Sequence, residues 1–311
     1  VPLDDPTAGL LANLAAAGPP IHQLSAADAR AATAPLAQFY GAGPEMAQAR
    51  EVTLEVDGGE ISLRVLRPTA EPAGVLVYLH GGGWVIGSAA EYDTLGRTLA
   101  AATGLTTVLV DYRKAPEHPF PAAVNDSWAA LRWVDAHREE LAAVGAALVV
   151  GGDSAGGNLT AVMTHRARGE GGPQIAAQVL VYPATDHGVR PSHVDPANQL
   201  LLDQAGMDWF VGHYLPDPAM REHPEAAPNR VTDLAGLPPA VVLVAEFDVL
   251  RDEVEEYADR LGAAGVPVVR RLFEGQMHGF FQFVNVLPGS AAGVTFVAES
   301  LAALLPVRAA R

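Results

Sequence analysis

The chain has 311 residues, enough for one large α/β domain with a smaller appendage. Its 36 acidic residues against 20 basic ones, a formal net charge of −16, argue against nucleic acid or an anionic membrane as a partner. With no cysteine, disulfides, thiolate catalysis and Cys-ligated zinc are excluded, and with no run of about 18 apolar residues no spanning helix is expected. The first residues, Val1-Pro2-Leu3-Asp4-Asp5, lack the basic and apolar regions of a signal peptide, so the expectation is a soluble, cytoplasmic protein.

Residues 1–48 hold two apolar-spaced stretches, Gly9–Ala17 and Ala26–Tyr40, the second opened by a capping-box-like Ser25-Ala26-Ala27-Asp28. They precede the first strand signals and read as N-terminal cap helices. Val52–Val56 and Ile61–Leu66 then alternate apolar and polar residues about Asp57-Gly58-Gly59, which predicts a β-hairpin with one solvated face. Val75–Leu79 is a continuous apolar run of the buried, parallel type. A helix capped at Ser88, a strand at Leu105–Asp111, a helix from Pro121 to about Leu141 and a strand at Ala147–Gly151 follow. Further strands are expected at Ile175–Tyr182, Ala240–Glu246 and Val266–Phe273, with helices at Asn158–Arg168, Arg251–Ala264 and about Ala292–Leu305. This alternation predicts an α/β class fold: a mostly parallel sheet with helices on both faces.

The connection between Tyr182 and Ala240 is too long for a bare loop. An inserted helix around Asp203–Tyr214, with the apolar group Met207, Trp209, Phe210 and Tyr214, fits it better. The expected organisation is therefore cap helices in 1–48, a main domain in 49–187 and 226–311, and a cap insertion in 188–225.

The chemistry centres on Gly152-Asp153-Ser154-Ala155-Gly156, placed between a short apolar strand and a helix. In that context G-x-S-x-G is a nucleophile elbow, whose strained turn demands small neighbours. A serine hydroxyl needs a base, a carboxylate to orient the base, and donors for the oxyanion. His278, just past the last strand, is the base candidate, and Asp248, just past the Ala240 strand, the acid candidate, with Glu246 and Asp252 as its competitors. Their order along the chain, Ser154, Asp248, His278, is nucleophile, acid, base. His80-Gly81-Gly82-Gly83-Trp84 offers accessible backbone N–H groups for an oxyanion, and Ala155 N–H another; His80 itself reads as loop-shaping. Asp111 to Pro121 reads as a rigid scaffold in which Asp111 and Arg113 could form an ion pair. A dinucleotide-binding reading of the glycine loop is weak, because Gly87 comes one residue too late for G-x-G-x-x-G.

Together, HGGGW at 80–84, DYRKAPEHPFPAA at 111–123, GDSAGG at 152–157, LPPAVVLVAEFDVLRDE at 237–253 and HGF at 278–280 closely resemble the hormone-sensitive-lipase-like (bacterial family IV) esterases of the α/β-hydrolase superfamily. The resemblance implies an α/β-hydrolase fold with a helical cap, and a carboxylesterase for short-chain acyl esters that uses no cofactor and no metal. It implies Ser154 as nucleophile with Asp248 and His278 as partners, Gly81, Gly82 and Ala155 as oxyanion donors, and homodimers paired through the last strand. Lys114 and Val249 depart from the family pattern without touching this chemistry. Trp84, Trp209, Phe210 and Tyr214 are the candidate pocket walls. Two other readings remain: hydrolysis of another acyl group (amide, thioester or acetylated sugar), and a non-catalytic small-molecule-binding member of the fold, against which retention of His278 counts.

Overall fold

A strand whose successive side chains are all apolar must be covered on both faces, and this requirement organises the chain. The computed structural model describes residues 2–305. Its hairpin, β1 (Gln48–Val56) and β2 (Gly59–Arg67), is antiparallel and closes across Asp57-Gly58. The later strands are β3 (Gly74–Leu79), β4 (Thr106–Asp111), β5 (Ala147–Asp153), β6 (Ala177–Val181), β7 (Ala240–Phe247) and β8 (Val268–Met277). Among the described residues they form one eight-stranded sheet in the order β1-β2-β4-β3-β5-β6-β7-β8. Only the β1/β2 and β2/β4 pairs are antiparallel.

The helices are α1 (Asp5–Ala17), α2 (Ala26–Thr33), α3 (Asp93–Thr103), α4 (Ala122–Ala136), α5 (Arg138–Leu141), α6 (Ala155–Glu170), α7 (Pro191–Val194), α8 (Gln204–Tyr214), α9 (Arg251–Ala263) and α10 (Pro288–Leu304). Two cores sandwich the sheet. Val75, Val77 and Leu79 of β3 point into one with Leu131 of α4, Leu159 of α6 and Val254 of α9. Leu76 and Tyr78 point into the other with Leu95 and Leu99 of α3 and Val297 of α10. The period-2 alternation of a strand, with both faces apolar, is what puts helices on both sides.

Several expected boundaries move, each for a local reason. Ser88 does cap a turn, its Oγ accepting the Glu91 N–H at 3.3 Å, but α3 itself starts only after Tyr92. The long helix expected from Pro121 breaks at His137, whose ring Nδ1 lies 2.8 Å from the Trp133 carbonyl oxygen. β8 begins after Pro267, which has no N–H for the ladder, and runs four residues beyond Phe273. Its extension follows a register shift opposite Glu246, whose carboxylate accepts the Gly275 N–H at 2.7 Å, so that Phe247 pairs with Met277. His278 is thereby delivered at the end of a strand.

The expected Asp111–Arg113 ion pair does not form. Asp111 takes Lys114 (2.7 Å), while Arg113 makes three bonds to Asp126: from its backbone N–H and its Nε at 2.9 Å each and from Nη2 at 2.7 Å. Asp126 is fully buried in α4. Removing its partner leaves a buried, uncompensated charge. Arg113→Met is therefore expected to cost about 3 kcal/mol in urea unfolding. A loss below about 1 kcal/mol would equate this pair with a surface one.

Candidate active site

β5 ends at Asp153 and α6 begins at Ala155, leaving one residue to make the turn. That residue is Ser154, at φ 54° and ψ −118°, a backbone conformation side-chain-bearing residues avoid. The turn is held from both sides: Ser154 N–H donates to the Val181 carbonyl (2.9 Å), and the Ser154 carbonyl accepts from Ala184 N–H (3.1 Å). It is also packed tightly, because a Cβ on Gly152 or Gly156 would overlap the Leu79 carbonyl at the end of β3.

The elements bring three expected residues into one run of hydrogen bonds. Ser154 Oγ lies 2.9 Å from His278 Nε2, and His278 Nδ1 lies 2.7 Å from Asp248 Oδ2. A carboxylate only accepts, so Nδ1 carries the proton and the Nε2 lone pair faces the serine hydroxyl. Asp248 is fully buried just past β7, and its other oxygen accepts the Leu250 N–H at 2.8 Å. Its competitors are used elsewhere: Glu246 on Gly275, and Asp252 on the Ser192 N–H (2.8 Å). The Tyr182 ring packs on the imidazole, centroids 4.7 Å apart.

The loop after β3 corrects one expectation. Gly81 N–H is already committed, to Asp153 Oδ1 at 3.1 Å and to the Tyr92 hydroxyl at 3.2 Å, so it is not free to meet an oxyanion. No described residue accepts the N–H of Gly82 or Gly83, and both residues line the cavity with Ser154 and Ala155. Ala155 N–H stands in the first turn of α6, where helix donors lack an internal partner. The free donors are thus Gly82, Gly83 and Ala155. His80 stacks on Tyr112 at 4.3 Å, and its Nδ1 donates to the Gly81 carbonyl at 2.7 Å. Burial pushes its pKa down to about 4, and the neutral ring shapes the loop.

Asp153 was not singled out by the sequence, although it sits inside the elbow motif. Its buried carboxylate accepts from the Tyr78 and Tyr92 hydroxyls, both at 2.9 Å, besides Gly81 N–H. Burial raises its pKa to about 6 against the pull of those bonds and of His278.

A cavity of about 760 Å³ opens over Ser154. Its walls come from α1 and α2, from the 3₁₀ segment Ala34–Tyr40, from α8 and from the loops after β3, β6, β7 and β8. Trp84 and Phe210 line it, but Trp209 and Tyr214 do not. Tyr214 lies behind Trp84, stacked at 4.2 Å, and Trp209 packs edge-on against Phe210 and His213. Phe210 packs so close to the glycines of the loop that Gly83 has no room for a side chain. The segment after β6 is fastened by Glu253, fully buried in the first turn of α9, which accepts from Thr185 N–H (2.6 Å) and lies 3.1 Å from His193 Nε2. Among the described residues, no group of three His, Cys, Asp or Glu side chains converges to hold a metal ion, and no helix is long and apolar enough to cross a membrane.

Residues 76–282 match the model of a family with the alpha/beta hydrolase fold. The chain is similar to "Carboxylesterase NlhH" of Mycobacterium tuberculosis, 41% identical with 80% of each chain covered. It is similar to "Ethyl acetate hydrolase" of Pseudomonas putida, 35% identical over 79% of each. Among solved structures, a hyperthermophilic esterase from Pyrobaculum calidifontis superposes with a TM-score of 0.92 at 35% identity, covering 97% of this chain and 99% of the other.

Because folded Asp153 titrates near 6, the folded chain keeps a proton that the unfolded chain has released from about pH 4 upward. The stability this group contributes is present below pH 4 and is lost as pH rises through 6. Asp153→Asn carries no such charge, so its urea midpoint relative to the wild type is expected to rise between pH 4 and pH 7. A difference that stays constant over this range would show that the buried carboxylate bears no desolvation cost.

Proposed function

As a member of the hormone-sensitive-lipase-like esterases of the α/β-hydrolase superfamily this chain is a carboxylesterase, and we propose that it hydrolyses short-chain acyl esters through an acyl-enzyme on Ser154. The observation that carries this reading is the hydrogen-bonded run Asp248–His278–Ser154, at 2.7 and 2.9 Å, in the wall of a mostly apolar cavity. His278 Nε2 takes the serine proton as Oγ attacks the ester carbonyl, and the imidazolium is steadied by Asp248. The oxyanion is met by the N–H groups of Gly82, Gly83 and Ala155, each such donor being worth on the order of a hundred- to a thousandfold in rate. His278 then protonates the leaving alcohol, and water repeats both steps on the acyl-enzyme, releasing the acid and restoring the serine. The N-terminal helices and the 188–225 segment act as a cap that excludes water and selects the substrate.

Steady-state hydrolysis of 4-nitrophenyl esters from acetate to dodecanoate tests this directly. Activity is expected to peak at short chains and vanish in Ser154→Ala, and Asp248→Asn is expected to lower kcat by about 10⁴-fold through the wrong imidazole tautomer. An organophosphate reagent should transfer its phosphoryl group to Ser154 alone, the mass gain being that of the reagent less its leaving group and the serine proton. Equal rates in wild type and Ser154→Ala would overturn the serine mechanism.

A further inference from the structure

His187 is among the polar groups of the cavity wall that this mechanism leaves unused. His187 follows β6 and lines the cavity beside Trp84, ring centroids 6.3 Å apart. Its Nε2 lies 3.2 Å from the Ala226 carbonyl oxygen. A carbonyl only accepts, so Nε2 carries the proton. Burial, opposed by that carbonyl and by Asp186 but aided by the charges of Arg221 and Arg230, pushes the His187 pKa down to about 4. The ring is therefore neutral at working pH and keeps a lone pair on Nδ1. No described residue donates to Nδ1, and it is not among the unpaired nitrogens sealed from solvent.

The position is close to the chemistry. Ala184, three residues earlier, donates its N–H to the Ser154 carbonyl at 3.1 Å. Three extended residues span at most about 11 Å, and Ser154, Ala184 and His187 line the same cavity, so a substituent on a bound ester shares that space with the imidazole. Much of the remaining wall is apolar, with Leu14, Met207, Phe210 and Leu250 among its side chains. Against such a wall a fixed acceptor discriminates, because a ligand without a matching donor leaves it dry and unpaired.

We propose that His187 Nδ1 accepts a hydrogen bond from the substrate, and that the preferred substrates are esters bearing a hydroxyl or N–H a few bonds from the ester group. This inference rests on the serine-esterase reading of the same cavity and deepens it. The backbone carbonyl of Ala226 fixes the tautomer, so the ring offers an acceptor and never a donor at neutral pH.

Two matched pairs test it, followed by pH-stat in wild type, His187→Phe and Ser154→Ala. Ethyl 3-hydroxybutyrate against ethyl butyrate probes the acyl arm; glycerol monobutyrate against propyl butyrate probes the alcohol arm. Phenylalanine keeps a planar ring and removes the acceptor, and any general loss of activity cancels in the ratio of each pair. The ratio of kcat/KM, hydroxylated over plain, is expected to fall by about 3- to 10-fold in His187→Phe for at least one pair. An unchanged ratio in both pairs, with hydrolysis abolished by Ser154→Ala, would overturn the hydrogen-bond role and leave the serine mechanism standing. Hydrolysis that survives Ser154→Ala would overturn the mechanism itself and this inference with it.

Discussion

The end of β3 and the start of α6 approach until the Leu79 carbonyl touches the backbone of Gly156, and neither Gly152 nor Gly156 could carry a side chain there. That contact sets where everything else in the site must lie. It holds Ser154 in its positive-φ turn, because a helix so close to the neighbouring strand leaves the connecting residue no relaxed path. The residues after Leu79 leave the sheet directly beside the serine, so Gly82 and Gly83 need no long loop to reach it. Asp153 completes the arrangement by holding the Gly81 N–H, while the two glycines that follow line the cavity with no partner among the described residues for their own N–H groups.

The arrangement is not the most stable one these residues could make. A fully desolvated carboxylate stands beside the proposed nucleophile, kept ionisable by two tyrosine hydroxyls and a backbone N–H. A neutral side chain would fold there at less cost, but without a negative charge behind the glycine loop and near the imidazole. Stability held back in this way for the sake of a site is a recurrent trade in enzymes.

Much of this was legible in the chain. Strands such as Val75–Leu79 and Ala240–Ala245 have two apolar faces and announce a covered sheet; G-x-S-x-G between strand and helix announces the elbow. What escaped the sequence depends on direction and depth. Three successive glycines show that backbone donors are accessible but not which peptide turns inward, so the free pair proved to be Gly82 and Gly83 rather than Gly81 and Gly82. The aromatic group on α8 marks an apolar helix without saying that Phe210 faces the cavity while Tyr214 lies behind Trp84. Arg113 finds Asp126, thirteen residues on, because helix α4 returns across the chain, a proximity no local pattern records. Asp153 and His187 were hidden for a simpler reason: their roles come from burial and from partners in other elements.

One fastening has a mechanical consequence. The segment after β6 that carries His187 is bound to the α9 end of the acid loop, through Glu253 on Thr185 and through Ser192 Oγ, which donates to the Val249 carbonyl at 2.7 Å. Val249 is the residue next to Asp248. On the serine mechanism proposed above, a ligand bulky enough to push this wall outward would drag on the peptide that seats the carboxylate and pull the imidazole out of line with Ser154. Bulk would then count twice, first as a poor fit and again as slackened machinery.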